Sequence, residues 1–348
     1  MSNELEHIVT VSYMGSGSSA VTDLLREYAN IDCPNGSYEY IFLHCPNGIF
    51  DLEDKLLCNN NALRSDEALR TFRQTMLEFF ENPHWWFGNF KNRLTPHFMK
   101  YVDEFLDQIT TCSYNGFWYE HEKTSSNRIM VARQLAKLNL EPQGFRRLYS
   151  DKMHVSFPSA PQFYSAVNTF FSKVLGDTFK PGSIPLLDQL FLPHSLNRIN
   201  NYFPHTKYLL VKRDPRDVFV LNKYIWTPQG CPIPFPKDVE TFCIYYAAVM
   251  ESTPEFDTNL VMSLWFEDLI LEYDSSIRTI EGFLGETIGA HVKKGRYLDP
   301  SKSIRNIGVY LDDEAYAAET EIISTRLAKY LYPKPISAAL TNRQDTVF

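Results

Sequence analysis

Apolar and polar residues along the chain alternate in blocks that predict strands separated by helices. Three short runs rich in β-branched and aromatic residues are typical of buried strands: His7–Tyr13 (HIVTVSY), Thr206–Lys212 (TKYLLVK) and Asn259–Trp265 (NLVMSLW). A helix is predicted directly after each run. Because strands that alternate with helices form parallel sheets covered on both faces, we predict a three-layer α/β fold with a mainly parallel central sheet.

Other segments complete this pattern. Ser37–Leu43 (SYEYIFL) predicts a further strand, Ser183–Asn201 has helical spacing after Pro185, and Glu314–Tyr330 predicts a closing helix. The block from about Asn61 to Tyr149 has a mostly helical and aromatic pattern. No linker-like stretch divides the chain. We therefore predict one domain, residues 1–348, with a helical insertion at about 60–180 that covers an acceptor cleft.

Composition narrows the class of protein. The chain has 348 residues, 44% of them hydrophobic, and a net charge of −8, whereas a nucleic-acid binder needs concentrated Lys and Arg. A site for an anion must then be a local basic pocket. The six cysteines form no CxxC pair and no His lies at zinc-like spacing from them, which predicts reduced thiols and no required metal.

Nothing in the sequence predicts a signal peptide or a membrane-spanning segment. The amino terminus lacks a basic region followed by an apolar stretch, so no signal peptide is expected. No apolar run approaches the roughly 20 residues that span a bilayer. We predict a cytoplasmic protein without a transmembrane segment.

The first chemical motif is the turn between the first strand and its helix. It contains Gly15, Ser16, Gly17, Ser18 and Ser19. A glycine-rich turn at a helix amino terminus lets backbone N–H groups approach an anion, and the serines add hydroxyl donors. A plain strand-to-helix turn is the alternative. The Lys that ends a nucleotide-triphosphatase loop is absent, which disfavours an ATPase or an ordinary kinase.

The second motif is VKRDPRDVFV, where a strand carries Arg213 to its carboxyl end. Ligands bind at that edge of α/β sheets, and a guanidinium suits bidentate recognition of phosphate. Asp214 and Asp217 are better explained as acids that open the next helix and pair with Arg216.

Together these segments resemble the sulfotransferases that use 3′-phosphoadenosine 5′-phosphosulfate (PAPS). VSYMGSGSSAVTDLL is similar to the family's phosphosulfate loop, and VKRDPRDVFV to its 3′-phosphate motif. WFEDLI and SKSIRNIG are similar to two later segments, in the family's order. The resemblance implies a P-loop-like sulfotransferase fold, PAPS as donor, 3′-phosphoadenosine 5′-phosphate (PAP) as product, and no metal.

The resemblance also assigns the nucleotide contacts. It implies that the turn from Gly15 to Ser19 holds the 5′-phosphate and the sulfuryl oxygens, that Arg213 binds the 3′-phosphate, and that Lys302 and Arg305 assist. Two positions depart from the family pattern: Gly15 stands where many members have Lys or Arg, and Leu221, beside Asn222, stands where a Ser is usual.

A hydroxyl acceptor must lose its proton, so a general base is expected. Glu39 is the first candidate, because family members that modify sugars or tyrosine place a Glu about twenty residues after the loop. His154 is the rival, because Lys152-Met153-His154 resembles the Lys-x-His of members that act on phenols. Lys152 is a candidate for the cation missing at Gly15. Asp188 and His194 are weaker candidates.

These assignments predict a transferase acting on a hydroxyl of a carbohydrate or glycolipid. Two alternatives stay open: a P-loop kinase with a degenerate loop, and a non-catalytic protein that binds PAP or a glycan. The sequence also leaves a homodimer open.

Overall fold

The computed structural model describes residues 5–13, 15–83, 87–116, 118, 127–138, 151–230 and 235–336. The chain divides into two compact units, and we describe each by itself. The first comprises Met1–Ile41 and Phe179–Phe348, and the second comprises Phe42–Thr178. The predicted single domain and the predicted cover over an acceptor cleft stay predictions.

The first unit is built on a parallel sheet of five strands in the order β2-β5-β1-β6-β7. The strands of the described chain are β1 (His7–Ser12), β2 (Ile31–Asp32), β3 (Cys112–Gly116), β4 (Asp151–Val155), β5 (Ile184–Asp188), β6 (Thr206–Lys212) and β7 (Val261–Trp265).

Helices connect and cover the strands. They are α1 (Ser18–Leu25), α2 (Ile49–Glu53), α3 (Ala62–Glu81), α4 (Phe90–Arg93), α5 (Phe98–Ile109), α6 (Asn127–Lys137), α7 (Ala160–Thr178), α8 (Ile199–Tyr202), α9 (Pro215–Val220), α10 (Val239–Glu251), α11 (Phe266–Leu271), α12 (Tyr273–Leu284), α13 (Pro300–Ser303) and α14 (Ala317–Arg326). Among these helices, none is both long and apolar enough to cross a bilayer.

The two faces of the sheet bury different apolar sets, because successive side chains of a strand point to opposite faces. Ile8, Leu186 and Leu209 share one face and pack in a cluster with residues of α1, α11 and α12. On the opposite face the ring of Tyr208 lies 5.4 Å from that of Phe191, which also contacts α8. The predicted α/β class with a parallel central sheet is confirmed.

Two predicted elements are wrong. Ser37–Leu43 is not a strand: within it only Glu39 forms a β-bridge, to Asp188, and the chain then turns. Ser183–Asn201 is not a single helix either: Ile184–Asp188 forms β5 between β1 and β2, and only the later part is helical, as the 3-10 helix Pro193–Arg198 followed by α8. All five residues of β5 are buried. A short apolar run buried on both faces has no alternating pattern, so its periodicity does not distinguish a strand from a helix.

The second unit has a predominantly aromatic core. Helices α5 and α7 pack together, and the ring of Phe105 lies 5.6 Å from that of Phe170 and 5.7 Å from that of Phe72 on α3. Strands β3 and β4 form an antiparallel pair in this unit. The predicted helical and aromatic character of the segment is thus present, with a strand pair that was not predicted.

In the first unit, a buried carboxylate fixes the segment that follows α12. Glu27 has no exposed side-chain surface and accepts hydrogen bonds from the backbone N–H groups of Gly295 (3.1 Å), Tyr297 (2.7 Å) and Leu298 (3.1 Å). His291 Nε2 lies 2.6 Å from the same carboxylate. Burial raises the pKa of Glu27, but these hydrogen bonds outweigh it and leave the pKa below its usual value.

We expect Glu27→Gln to lower the free energy of unfolding by about 2–3 kcal/mol, since hydrogen bonds to a buried charge are lost. Stability from a carboxylate with a lowered pKa is present above the unfolded-state pKa and is lost as pH falls through the folded-state pKa. The difference from wild type should therefore shrink below about pH 4.5. Urea unfolding at several pH values measures this. Glu281→Gln is the control, because the Glu281 carboxylate accepts one hydrogen bond, from Tyr28 Oη. This variant should lower the free energy of unfolding by about 0.5–1 kcal/mol. Equal losses of stability in the two variants would contradict the prediction.

Candidate active site

The strand order creates a crevice at the carboxyl edge of the sheet. From β1 the chain proceeds to β2 and β5 on one side and then to β6 and β7 on the other. In such sheets the crevice at the carboxyl ends of the strands where the order reverses is the usual ligand site. Here that position lies between β1 and β6, which pair in parallel up to Ser12 and Val211. The two sequence motifs follow these two strands.

The turn after β1 has the predicted strand–turn–helix form. Gly15 and Gly17 have φ of 79° and 91°, a region that favours glycine, and Gly17 caps the amino end of α1. Ser16 N donates to Tyr13 O at 3.0 Å. The Ser16 hydroxyl is fully buried and has no hydrogen-bond partner among the described residues. Ser19 is exposed, whereas Ser18 is buried.

Arg213 joins this turn to the carboxyl-terminal loop. Its side chain is almost fully buried, and Nη1 donates to Gly15 O at 3.4 Å while Nη2 donates to Asn306 O. The guanidinium carbon lies 4.6 Å from the centre of the Phe266 ring. Its Nε–H has no partner within the described ranges. Three segments that are distant in sequence therefore meet at one cation.

Three buried carboxylates surround this cation: Asp214, Asp217 and Glu267. Asp214 caps α9 by accepting from Arg216 N at 2.9 Å, and it pairs with Arg216 Nη2 at 2.7 Å, as predicted. Asp217 instead accepts from the N–H groups of Gly308 (2.8 Å) and Tyr310 (3.3 Å), so it fixes the carboxyl-terminal loop. Glu267 accepts from Asp214 N at 2.8 Å.

Burial controls the protonation of this cluster. It raises the pKa of Asp217 to about 6 and that of Glu267 to about 8. It also lowers the pKa of Arg213, while the neighbouring carboxylates oppose that change. Burial thus favours the neutral forms of Glu267 and Asp217, and the charge of Arg213 opposes this for both carboxyl groups.

A second pair of carboxyl groups lies at the carboxyl end of β5, which adjoins β1. Glu39 is half-buried and forms its β-bridge with Asp188, which is 2% exposed. Burial, and then the charge of Asp188, raise the pKa of Glu39 to about 7. A carboxylate that titrates near neutrality suits a general base.

Three further candidates, Lys302, Arg305 and His194, also belong to the first unit. Lys302 is largely exposed, with Nζ 3.5 Å from Asp299 Oδ2, and Arg305 is half-buried in the turn Ile304–Asn306 that follows α13. His194 Nδ1 lies 3.0 Å from Ser252 Oγ in the first unit.

Lys152 and His154 belong to β4 of the second unit, apart from the sheet that carries the two motifs. Lys152 is exposed, and His154 Nδ1 lies 2.9 Å from Ser113 Oγ. Their predicted catalytic roles stay predictions.

Sequence reasoning missed three contributors to the site. Phe266 packs against both Gly17 and Arg213, Asn306 O accepts from Arg213, and Gln189 contacts the turn. The similarity of WFEDLI to the family could have indicated Phe266. A backbone carbonyl such as Asn306 O leaves no signal in a sequence.

Gly15 lies against the segment that continues α9. A Cβ on Gly15 would lie 3.1 Å from Asn222 Nδ2 and 3.5 Å from the Trp226 ring. Asn222 is buried and donates to Val218 O at 2.7 Å. A side chain at position 15 would therefore need its neighbours to shift by a few tenths of an ångström, in addition to the positive φ of 79°.

We expect Gly17→Ala to destabilise the protein by roughly 1–3 kcal/mol more than Gly182→Ala. Both glycines have positive φ, 91° and 77°, but a Cβ on Gly17 would lie 2.9 Å from Phe266 Cδ2, whereas one on Gly182 meets nothing within 4 Å. Denaturant unfolding of both variants isolates the contact with Phe266 from the backbone strain. Equal destabilisation would show that the ring yields freely.

No family model matches the chain, and no curated protein matches it. Among solved structures it is similar to a sulfotransferase domain from the curacin biosynthetic pathway, with 13% identity over 97% of this chain and 98% of that one, at a TM-score of 0.37. It is also similar to the sulfotransferase domain of the Synechococcus PCC 7002 olefin synthase, with 14% identity over 94% and 95% and a TM-score of 0.41. A third similarity is to the sulfotransferase STF1 from Mycobacterium tuberculosis H37Rv, with 12% identity over 93% and 76% and a TM-score of 0.35. All three TM-scores lie below 0.5, and the fold assignment rests on the sheet topology described above.

Proposed function

We propose that the chain is a sulfotransferase that moves a sulfuryl group from PAPS to a hydroxyl of a saccharide or glycolipid. One observation carries this proposal: Arg213 and the turn from Gly15 to Ser19 lie side by side at the carboxyl edge of the sheet, with Arg213 Nη1 3.4 Å from Gly15 O. The two motifs that resemble the family are distant in sequence, and a donor with phosphates at two positions needs both in one crevice.

The residues present suit such a donor. Ser16 Oγ and Arg213 Nε are buried polar groups without protein partners among the described residues. Because buried polar groups are normally hydrogen-bonded, each is a candidate contact for a ligand. The backbone N–H groups at the start of α1 add donors for the 5′-phosphate. Lys302 and Arg305, in the loop that Asp217 and Arg213 fix, are proposed to add positive charge beside the 3′-phosphate.

Glu39 is the proposed general base. The acceptor oxygen forms a bond to sulfur as the bond between sulfur and the 5′-phosphate oxygen breaks, and that oxygen keeps the electron pair in PAP. The acceptor proton passes to the Glu39 carboxylate. Its pKa, raised to about 7 by burial and Asp188, favours this transfer near neutral pH. The saccharide acceptor is supported by the position of Glu39 after the loop, which resembles the sugar- and tyrosine-modifying members.

A second candidate function is binding of PAP without turnover. The glycine at position 15 favours it, because the turn then has no cationic side chain at that position to stabilise the departing phosphate. Turnover separates this candidate from the enzyme.

We expect the protein to bind PAP roughly 10- to 100-fold more tightly than 5′-AMP or ATP, as one charge-assisted contact to the 3′-phosphate is worth about 1.5–3 kcal/mol. Calorimetric titration of the three nucleotides measures this preference. If AMP bound as tightly as PAP, the role of Arg213 would be wrong.

Arg213→Lys keeps the charge among the carboxylates but loses the planar fork, so it should reduce the preference for PAP about tenfold or more while the protein stays folded. Arg216→Lys is the matched control, since Arg216 is held by Asp214 and lies 4.1 Å above the Tyr310 ring. Arg216→Lys should leave the ratio of PAP to AMP affinity unchanged.

We expect Glu39→Gln to lower the rate of sulfuryl transfer by about 10²-fold or more, with PAP affinity unchanged, because a general base contributes about that much. Transfer from labelled PAPS to a panel of glycans and glycolipids is followed by mass spectrometry. His154→Ala tests the rival base. A large loss of transfer rate in His154→Ala with none in Glu39→Gln would assign the general base to His154. Tight PAP binding without transfer to any acceptor would favour the non-catalytic candidate.

A further inference from the structure

The β-bridge between Glu39 and Asp188 places two carboxyl groups on the same face of the sheet. Tyr40 N donates to Asp188 O at 2.9 Å, which fixes the register. Residues paired in parallel strands project their side chains to the same face. Thr10 pairs with Asp188 in the next strand, so the face is the one covered by α1.

Asp188 is held from this face by Thr10. Thr10 Oγ1 donates to Asp188 Oδ1 at 2.9 Å. Because its single hydrogen is used there, Thr10 Oγ1 accepts from Thr22 Oγ1, which lies 2.8 Å away. Burial raises the pKa of Asp188 to about 6, and the hydroxyls of Thr10, Ser18 and Thr22 act against that rise.

Gln189 completes the connection to the turn. It has a positive φ of 56°, unusual for a residue with a side chain, and its amide is buried. Its Oε1 accepts from Ser12 N at 3.2 Å, and its Nε2 donates to Ser12 Oγ at 2.7 Å and to Ser18 Oγ at 3.4 Å. Such backbone conformations persist where surrounding contacts enforce them, often at functional sites.

Several charged and titratable groups lie around the pair. Within the described ranges, Asp188 is the charged group that raises the pKa of Glu39. Asp23 on α1 acts on Asp188, and Arg26 pairs with Asp23 at 2.9 Å. The Cys33 thiol and the Tyr40 phenol also lie near Asp188, and burial leaves both neutral at pH 7 because it raises the pKa of each.

We propose that Asp188 is a positioning residue for the proposed reaction: through the β-bridge that pairs it with Glu39, its charge governs when Glu39 takes up a proton. The inference rests on the proposed function for its chemical meaning. The link between the two carboxyl groups is a property of the protein alone, so it can be tested without donor or acceptor.

The test is a titration of Glu39 in the full chain, with ¹³C-labelled glutamate carboxyls followed by NMR and Glu39→Gln used to assign the signal. In wild type we expect a midpoint near 7. In Asp188→Asn the midpoint should fall by about one pH unit, because a like charge is removed. It should stay above 4.5, since burial is the larger cause of the shift. The acid limb of the transfer rate should move by the same amount.

Asp32→Asn is the matched control. Asp32 is also a buried aspartate of this sheet, on β2, where it accepts from Lys180 N at 2.9 Å, and it does not act on Glu39. It should leave the midpoint in place even if it destabilises the protein. A midpoint near 4.5 in wild type, or one unchanged in folded Asp188→Asn, would overturn the proposal.

If Asp188→Asn does not fold, Asp188→Ala replaces it, because alanine introduces no buried amide that needs hydrogen-bond partners. The same fall of the Glu39 midpoint is expected. Failure of the protein to bind PAP would refute the proposed function and leave this titration intact. Unchanged titration with normal PAP binding would refute the link alone.

Discussion

The site depends on one buried cation and the groups that compensate it. Arg213 cannot lie in the interior without partners, since burial disfavours its charge. Its partners are the carbonyls of Gly15 and Asn306, the face of the Phe266 ring, and three carboxyl groups. These partners come from the turn after β1, from α9 and α11, and from the loop after α13. The cation therefore determines how four segments meet at one edge of the sheet.

The carboxylates around Arg213 also accept hydrogen bonds from backbone N–H groups. Asp214 caps α9 and accepts from Tyr332 N, and Asp217 accepts from two N–H groups of the carboxyl-terminal loop. In this acidic chain, with a net charge of −8, the acids around Arg213 are engaged as acceptors of backbone N–H groups, and burial raises the pKa of Glu267 to about 8, which favours its neutral form. Overall charge describes the surface and does not predict the electrostatics of a buried crevice.

The sequence predicts the parts of this architecture that depend on local pattern. Strand β6 was predicted with its observed limits and β1 to within one residue, because β-branched runs flanked by glycine or charge are unambiguous. Strand β5 was not predicted, because a five-residue run buried on both faces depends on neighbours that are distant in sequence. The positions of Asp188 and Gln189 at its carboxyl end were therefore not predicted either. For the same reason the motifs could indicate Arg213, whereas the bridge that joins Glu39 to Asp188 required coordinates.

The turn after β1 and the segment that continues α9 constrain each other by packing. Leu221 packs in the apolar cluster with Val218, and the π-helical segment Leu221–Trp226 continues α9. In that segment Asn222 Nδ2 and the Trp226 ring occupy the space beside Gly15. A side chain at position 15 would need both a positive φ, which glycine tolerates at least cost, and room that these groups already fill. Gly15 and the segment that continues α9 therefore belong to one packing arrangement, in which the turn presents N–H and hydroxyl donors beside Arg213.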